Sequence, residues 1–267
     1  MSKKIISLLE RLNTTASVGL IAYAGAVQQR LPSVMNPPIA FAHRGARAHA
    51  PENTLPAFTL ALRLGATGLE SDVWMTADSV AVLDHDGVVR TGLRKKPISE
   101  ITAKTLPQHI PTFDEFISSL DKTTHVSLDL KDLQAFDPVC RSAGDAGFPL
   151  DHLWLCHPDW QELASRRALQ PDVRLVDSTR LSKITEGPER RAASLREAGI
   201  DCLNMHHSDW SGGLTTLVHR FERLAFGWDM QFDQVLDNGF RMGLDGVYSD
   251  HVDRMMDSFV REIDPFS

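Results

Sequence analysis

From residue 39 to the end of the chain, short apolar runs alternate with longer stretches of helical periodicity. The runs at 39–42, 68–73, 80–84, 126–130, 153–156, 173–176, 202–205, 224–228 and 246–248 have strand length and a β-prone composition. Helical patterns fill intervals such as 55–64, 113–120, 159–169, 189–198 and 232–238. This alternation is the sequence form of repeated βα units around a parallel sheet, and it predicts an α/β fold of the (β/α)8 TIM barrel type. Nine candidate strands compete for eight barrel places, so one, expected among the later short runs, lies outside the barrel.

The first 38 residues stand apart. Lys3 and Lys4 precede an apolar stretch at 16–27, the order found in a targeting segment, whereas Glu10 and Arg11 interrupt that order. Ile5, Ile6, Leu8, Leu9 and Leu12 cluster on one face of a helix, so the segment at 1–38 reads as a packing helix, with export through an N-terminal signal as the alternative. The division is therefore 1–38 and a barrel domain at 39–267. No apolar run approaches the ~20 residues of a membrane-spanning helix.

A chain of 267 residues suits one barrel-sized domain. Its net charge of −7 argues against a nucleic-acid partner and requires local cations wherever an anion is to bind. Cys140, Cys156 and Cys202 are odd in number and widely spaced, which indicates neither a disulfide framework nor a thiolate zinc site. A reducing, cytoplasmic location is the simpler reading.

Polar residues gather where the early strands end: His43 after the first run, Glu70 and Asp72 in the second, His85 after the third, Asp129 and Lys131 at the fourth. Strand ends of a parallel barrel converge on one mouth, which carries the active site. Glu70 and Asp72 are two apart and share a strand face. With Asp129 they offer an all-oxygen donor set suited to Mg²⁺ or Ca²⁺, with Mn²⁺ as a further candidate. His43 and His85 suit proton transfer near neutral pH, one accepting a proton and the other returning it to a leaving group. Arg44 and Lys131 can offset the carboxylates beside a bound anion. In Pro51-Glu52-Asn53-Thr54, Asn53 or Thr54 can cap the following helix while Glu52 reaches across the mouth. Trp228 is a candidate apolar wall or a buried barrel aromatic. His49, His157, His206, His207 and His251 read first as polar loop residues, and Arg94, Lys95 and Lys96 as a solvated basic run.

Taken in order, His43-Arg44-Gly45, Pro51-Glu52-Asn53-Thr54, Glu70-x-Asp72 and His85-Asp86 resemble the glycerophosphodiester phosphodiesterase family, a phospholipase C-like barrel type. The likeness continues through Arg90-Thr91, Pro111-Thr112-Phe113, Asp129-Leu130-Lys131 and the closing Leu244-Asp245-Gly246-Val247-Tyr248-Ser249-Asp250. The resemblance implies hydrolysis of a glycerophosphodiester to sn-glycerol 3-phosphate and an alcohol. It implies one divalent cation on Glu70, Asp72 and Asp129, acid–base work by His43 and His85, and substrate contacts from Arg44, Lys131, Glu52 and Trp228. Three departures stand out: Asp129 replaces the family's usual Glu, Trp228-Asp229-Met230-Gln231 replaces Trp-Thr-x-Asn, and the loop between His85 and Pro111 is short, its Arg94, Lys95 and Lys96 forming a solvated face or, alternatively, meeting a charged head group.

Two rival readings remain. One is a lysophospholipase D or sphingomyelinase D-like phosphodiesterase, although the disulfide-bonded mouth loops of the secreted toxins lack counterparts among these cysteines. The other is a non-catalytic barrel binding a phosphorylated ligand, at odds with the retention of both histidines and all three acids.

Overall fold

The computed structural model describes residues 30–91 and 94–263. Most of the 1–38 segment read as a helix or targeting signal lies outside the described residues. From Leu31 onward the chain forms one unit.

Its strands are β1 (Ile39–Ala42), β2 (Gly68–Met75), β3 (Ala81–Leu83), β4 (Val88–Thr91), β5 (Arg94–Pro97), β6 (His125–Leu130), β7 (Leu153–His157), β8 (Arg174–Thr179), β9 (Cys202–His206), β10 (Leu224–Trp228) and β11 (Gly246–Ser249). Helices α1 (Leu55–Arg63), α2 (Phe113–Ser118), α3 (Phe136–Asp145), α4 (Trp160–Arg166), α5 (Pro188–Glu197), α6 (Gly212–Arg220), α7 (Asp233–Arg241) and α8 (Val252–Ile263) run between and after them. Eight strands, β1, β2 and β6 to β11, pair in parallel, and β1 joins both β2 and β11, so the sheet closes into a (β/α)8 barrel. Closure leaves no free sheet edge within the ring.

The surplus strand is not among the later short runs. The run at 80–84 supplies β3, which pairs antiparallel to the far end of β2, Val73 opposite Leu83. β2 runs on past the barrel rim, and a short turn at 76–80 folds the chain straight back. A parallel neighbour would need a crossover of a dozen or more residues. Beyond it β4 and β5 form a separate antiparallel ribbon, a pairing absent from the expected elements.

Two apolar layers meet at the sheet. Outward-facing Ala40, Leu69, Val126, Leu155, Leu203 and Val247 pack with the helices in the main core. Inward-facing Phe41, Trp154, Phe226 and Tyr248 fill the barrel, with Phe41 stacked on Tyr248 at 4.7 Å and Trp154 against Phe226 at 4.9 Å. Each such buried aromatic contributes roughly 1.5–3 kcal/mol of transfer free energy. Gly68 makes room for this plug, since a Cβ there would lie 2.5 Å from the Phe41 ring. On β1, β2, β6, β9 and β11 the next inward positions toward the carboxyl end are polar (His43, Glu70, Asp129, Asn204 and Asp250), so the plug becomes the floor of a cavity.

Candidate active site

The cavity at the carboxyl ends of the strands holds about 310 Å³ and is lined by His43, Arg44, Glu70, Asp72, Asp129 and Lys131, with Trp228 and Asp229 across from them. Strand register accounts for the grouping. Glu70 pairs with Ser127 and Asp72 with Asp129 on the adjacent parallel strand, so the carboxylates share the inward face of two neighbours.

β1 hands the chain to a sharp turn in which Arg44 and Gly45 both adopt positive φ, 52° and 78°. A Cβ on Gly45 would lie 2.8 Å from the Ala57 carbonyl carbon in α1, so the turn packs against that helix only as glycine. The turn aims the Arg44 amide at Glu70, donating to Oε2 at 3.0 Å. The Arg44 guanidinium lies 3.3 Å from Asp72 through Nε and 3.3 Å from Glu52 through Nη1. Glu52 also takes Arg47 at 2.5 Å, so it orients Arg44 from outside the cavity lining. Thr54, not Asn53, caps α1. Asn53 instead donates to Asp72 at 3.3 Å and accepts from Ser71 at 2.7 Å, bracing the acidic strand.

Lys131 Nζ lies 2.5 Å from Asp129 and 3.2 Å from Asp72. Burial opposes its charge, yet the two carboxylates outweigh that and raise its pKa. Burial pushes the Glu70 carboxyl up to about 7; His43 works against the rise, and Asp72 and Asp129 add to it. Three carboxyl groups thus face two fixed cations in one cavity, an excess of acidic groups.

That excess and the all-oxygen donor set of Glu70, Asp72 and Asp129 fit a hard divalent cation. Their oxygens do not, however, draw together within 4.8 Å as a ready ligand group. The described residues that do so are His49 with His251 and Asp253, and His206 with His207 and Asp229.

His43 Nδ1 lies 2.6 Å from Asp250 Oδ1, while Nε2 faces Glu70 Oε2 at 3.7 Å. Burial disfavours the imidazolium, but Glu70 and the Asp250 hydrogen bond outweigh it, and the His43 pKa is raised. Asp250 also takes Arg47 Nη1 at 3.1 Å. In the sequence Asp250 only closes a motif, with no spacing signal that ties it to His43.

His85 stands elsewhere. It follows β3 rather than a barrel strand, pairs through Nδ1 with Asp86 at 2.8 Å and does not line the cavity. The neighbouring Asp84 amide donates to the Asp72 carbonyl at 3.1 Å, so the turn carrying His85 is fastened to the lip beside β2. Asn204, also unforeseen, lines the cavity with Nδ2 on Ser178 and a buried Oδ1 that has no partner.

Residues 43–254 match the family model described as the glycerophosphoryl diester phosphodiesterase family. A Mycobacterium tuberculosis protein named probable glycerophosphodiester phosphodiesterase 2 is 26% identical over 248 residues, 83% of this chain and 90% of that protein. The fold is similar to a glycerophosphodiester phosphodiesterase of Agrobacterium tumefaciens (TM-score 0.70, 19% identity, 82% of this chain and 98% of that one). It is also similar to an Oleispira antarctica phosphodiesterase solved with the product sn-glycerol-3-phosphate (TM-score 0.70, 22% identity, 83% and 96%).

Proposed function

This chain belongs to the glycerophosphoryl diester phosphodiesterase family, a family of phosphoric diester hydrolases, and on that premise we propose that its barrel mouth cleaves glycerophosphodiesters to sn-glycerol 3-phosphate and an alcohol with the help of one divalent cation. The observation that supports this most is the shared cavity: His43, Arg44, Glu70, Asp72, Asp129 and Lys131 line one space although three separate strands deliver them.

In this reading Glu70, Asp72 and Asp129 hold Mg²⁺, Ca²⁺ or Mn²⁺. When bound, the cation neutralises charge on the phosphoryl oxygens and polarises phosphorus toward attack. Arg44 and Lys131 add positive charge on the same phosphate, and Glu52 keeps Arg44 aimed. His43, fixed through Nδ1 by Asp250, uses Nε2 to take the proton of the attacking hydroxyl. A new P–O bond forms, the bond to the alcohol breaks, and the departing oxygen takes a proton from His85, whose turn is fastened beside β2 and whose side chain must swing in from outside the cavity lining to reach it. The attacking oxygen is the neighbouring glycerol hydroxyl, which gives a cyclic phosphate that water then opens. Trp228 walls the organic portion. Buried free thiols at Cys140, Cys156 and Cys202 favour a reducing compartment.

Phosphorus NMR of glycerophosphocholine incubated with the whole chain tests the reading. Conversion to sn-glycerol 3-phosphate is expected. Release of phosphocholine, or turnover confined to lysophosphatidylcholine, would count against it.

A further inference from the structure

We propose a second cation site on the lip of the cavity, formed by His206, His207 and Asp229 and suited to a borderline transition ion such as Zn²⁺. It is distinct from the acidic trio in residues and in chemistry, since two imidazoles and one carboxylate favour zinc-like ions, whereas an all-oxygen set favours Mg²⁺ or Ca²⁺.

β9 ends at His206 and β10 at Trp228, and the two strands are adjacent, with Trp228 in register with His206. The residues that follow each strand therefore meet above the ring. His206 Nε2 lies 3.0 Å from Asp229 Oδ2, and the His206 and His207 rings are 4.3 Å apart. One ligand atom from each of the three residues lies within 4.8 Å of the others.

Two further features suit ligation. Asp229 takes a left-handed backbone, φ 63°, a conformation uncommon for residues other than glycine, and this turn brings its carboxylate to His206. His206 Nδ1 accepts from the Ser208 amide at 3.2 Å and lies 2.8 Å from its Oγ. With the ion on Nε2, the ring proton moves to Nδ1, which gives up the Ser208 amide and donates to Ser208 Oγ, the outer hydrogen bond that orients metal-binding histidines. The nearby Arg180 guanidinium is already engaged by both oxygens of Asp209, which limits its competition for Asp229.

Three protein ligands leave a zinc-like ion with an open position. Asp229 lines the catalytic cavity, so an ion held there borders the space the substrate uses. The other His-His-Asp group, His49 with His251 and Asp253, also brings its ligand atoms within 4.8 Å of one another but takes no part in that lining, so substitutions there are the control for the cavity-side site.

The test is calorimetric titration of Co²⁺ or Zn²⁺ into the whole chain in excess Mg²⁺, which occupies oxygen sites and leaves imidazoles free. A site is expected whose affinity is reduced at least tenfold in each of H206Q, H207Q and D229N and unchanged in H49Q and H251Q. H207Q and D229N keep the test independent should H206Q fail to fold. Absence of a site in the parent protein, its survival in H207Q and D229N, or its loss in H251Q would each overturn the proposal. Because the readout is binding and not turnover, this result is separable from the outcome for diester hydrolysis.

Discussion

Asp250 Oδ1 meets His43 Nδ1 at 2.6 Å although 207 residues separate them in the chain. Barrel closure makes the contact, because β1 pairs with β11 and Ala42 sits in register with Ser249. The first and last strands thus deliver neighbouring residues to one point. In the proposed mechanism Asp250 accepts from Nδ1–H and leaves Nε2 turned toward Glu70 and the cavity, as a positioning residue for His43.

Asp250→Asn should lower turnover of glycerophosphocholine by about 10²–10⁴-fold, the usual worth of general acid–base catalysis. The carboxamide can donate to Nδ1 and select the wrong tautomer. A circular-dichroism melt close to that of the parent is expected alongside the loss. A shifted pH–rate profile separates positioning of His43 from a purely structural role.

Gly45→Ala should destabilise the chain by more than ~1 kcal/mol in urea unfolding, since the residue needs positive φ and its Cβ would meet α1. Turnover should fall with it, because the same turn aims the Arg44 amide at Glu70.

Arg191 Nη1 lies 2.7 Å from Asp177, a fully buried carboxylate on β8 whose pKa burial pushes up to about 6 while Arg191 pulls it back. Arg191→Met strands that charge, and the loss at neutral pH should be about 3–5 kcal/mol. A carboxyl raised above its unfolded value binds more protons in the folded state, so its contribution to stability falls as pH rises through the interval up to about 6. The difference between parent and variant in urea unfolding should therefore be larger at pH 8 than at pH 5.

His125 follows the opposite sign. Burial, aided by the positive charge of His152, lowers its pKa to about 4, and its Nδ1 accepts from Trp154 Nε1 at 3.2 Å. The unfolded chain binds the proton first, so this contribution is complete above the ordinary histidine value of about 6.5 and is lost as pH falls toward 4. His125→Gln should flatten that part of the stability–pH curve, measured as the parent-minus-variant difference.

Alternation of apolar runs made the barrel legible, and β1, β2, β6 and the later strands lie close to the expected runs. Periodicity does not report strand direction, so β3 reads like a barrel strand, whereas its antiparallel pairing puts His85 beyond the end of a rim strand and not at a barrel strand end. The β4–β5 ribbon is rich in Arg and Lys, with exposed β5, and carries little apolar alternation. Helix α3 begins Phe136-Asp137-Pro138, which resembles a loop although Pro is tolerated in a first helical turn. In the site, spacing indicated that Glu70 and Asp72 share a face. It could not indicate that Lys131 lies between Asp72 and Asp129, or that Asp250 reaches His43, because those contacts depend on strand order and closure. Asn204 carried no signal at all, being one polar residue within an apolar run.

The most direct measurement of the central claim is enzymatic assay of sn-glycerol 3-phosphate released from glycerophosphocholine by the whole chain, before chelation, after it and after restoring Mg²⁺, Ca²⁺ or Mn²⁺. The account predicts release that disappears with the metal, returns with it, and is absent from folded His43→Ala and Glu70→Ala at every metal concentration. Release that survives chelation, or that persists in either folded variant, would contradict it.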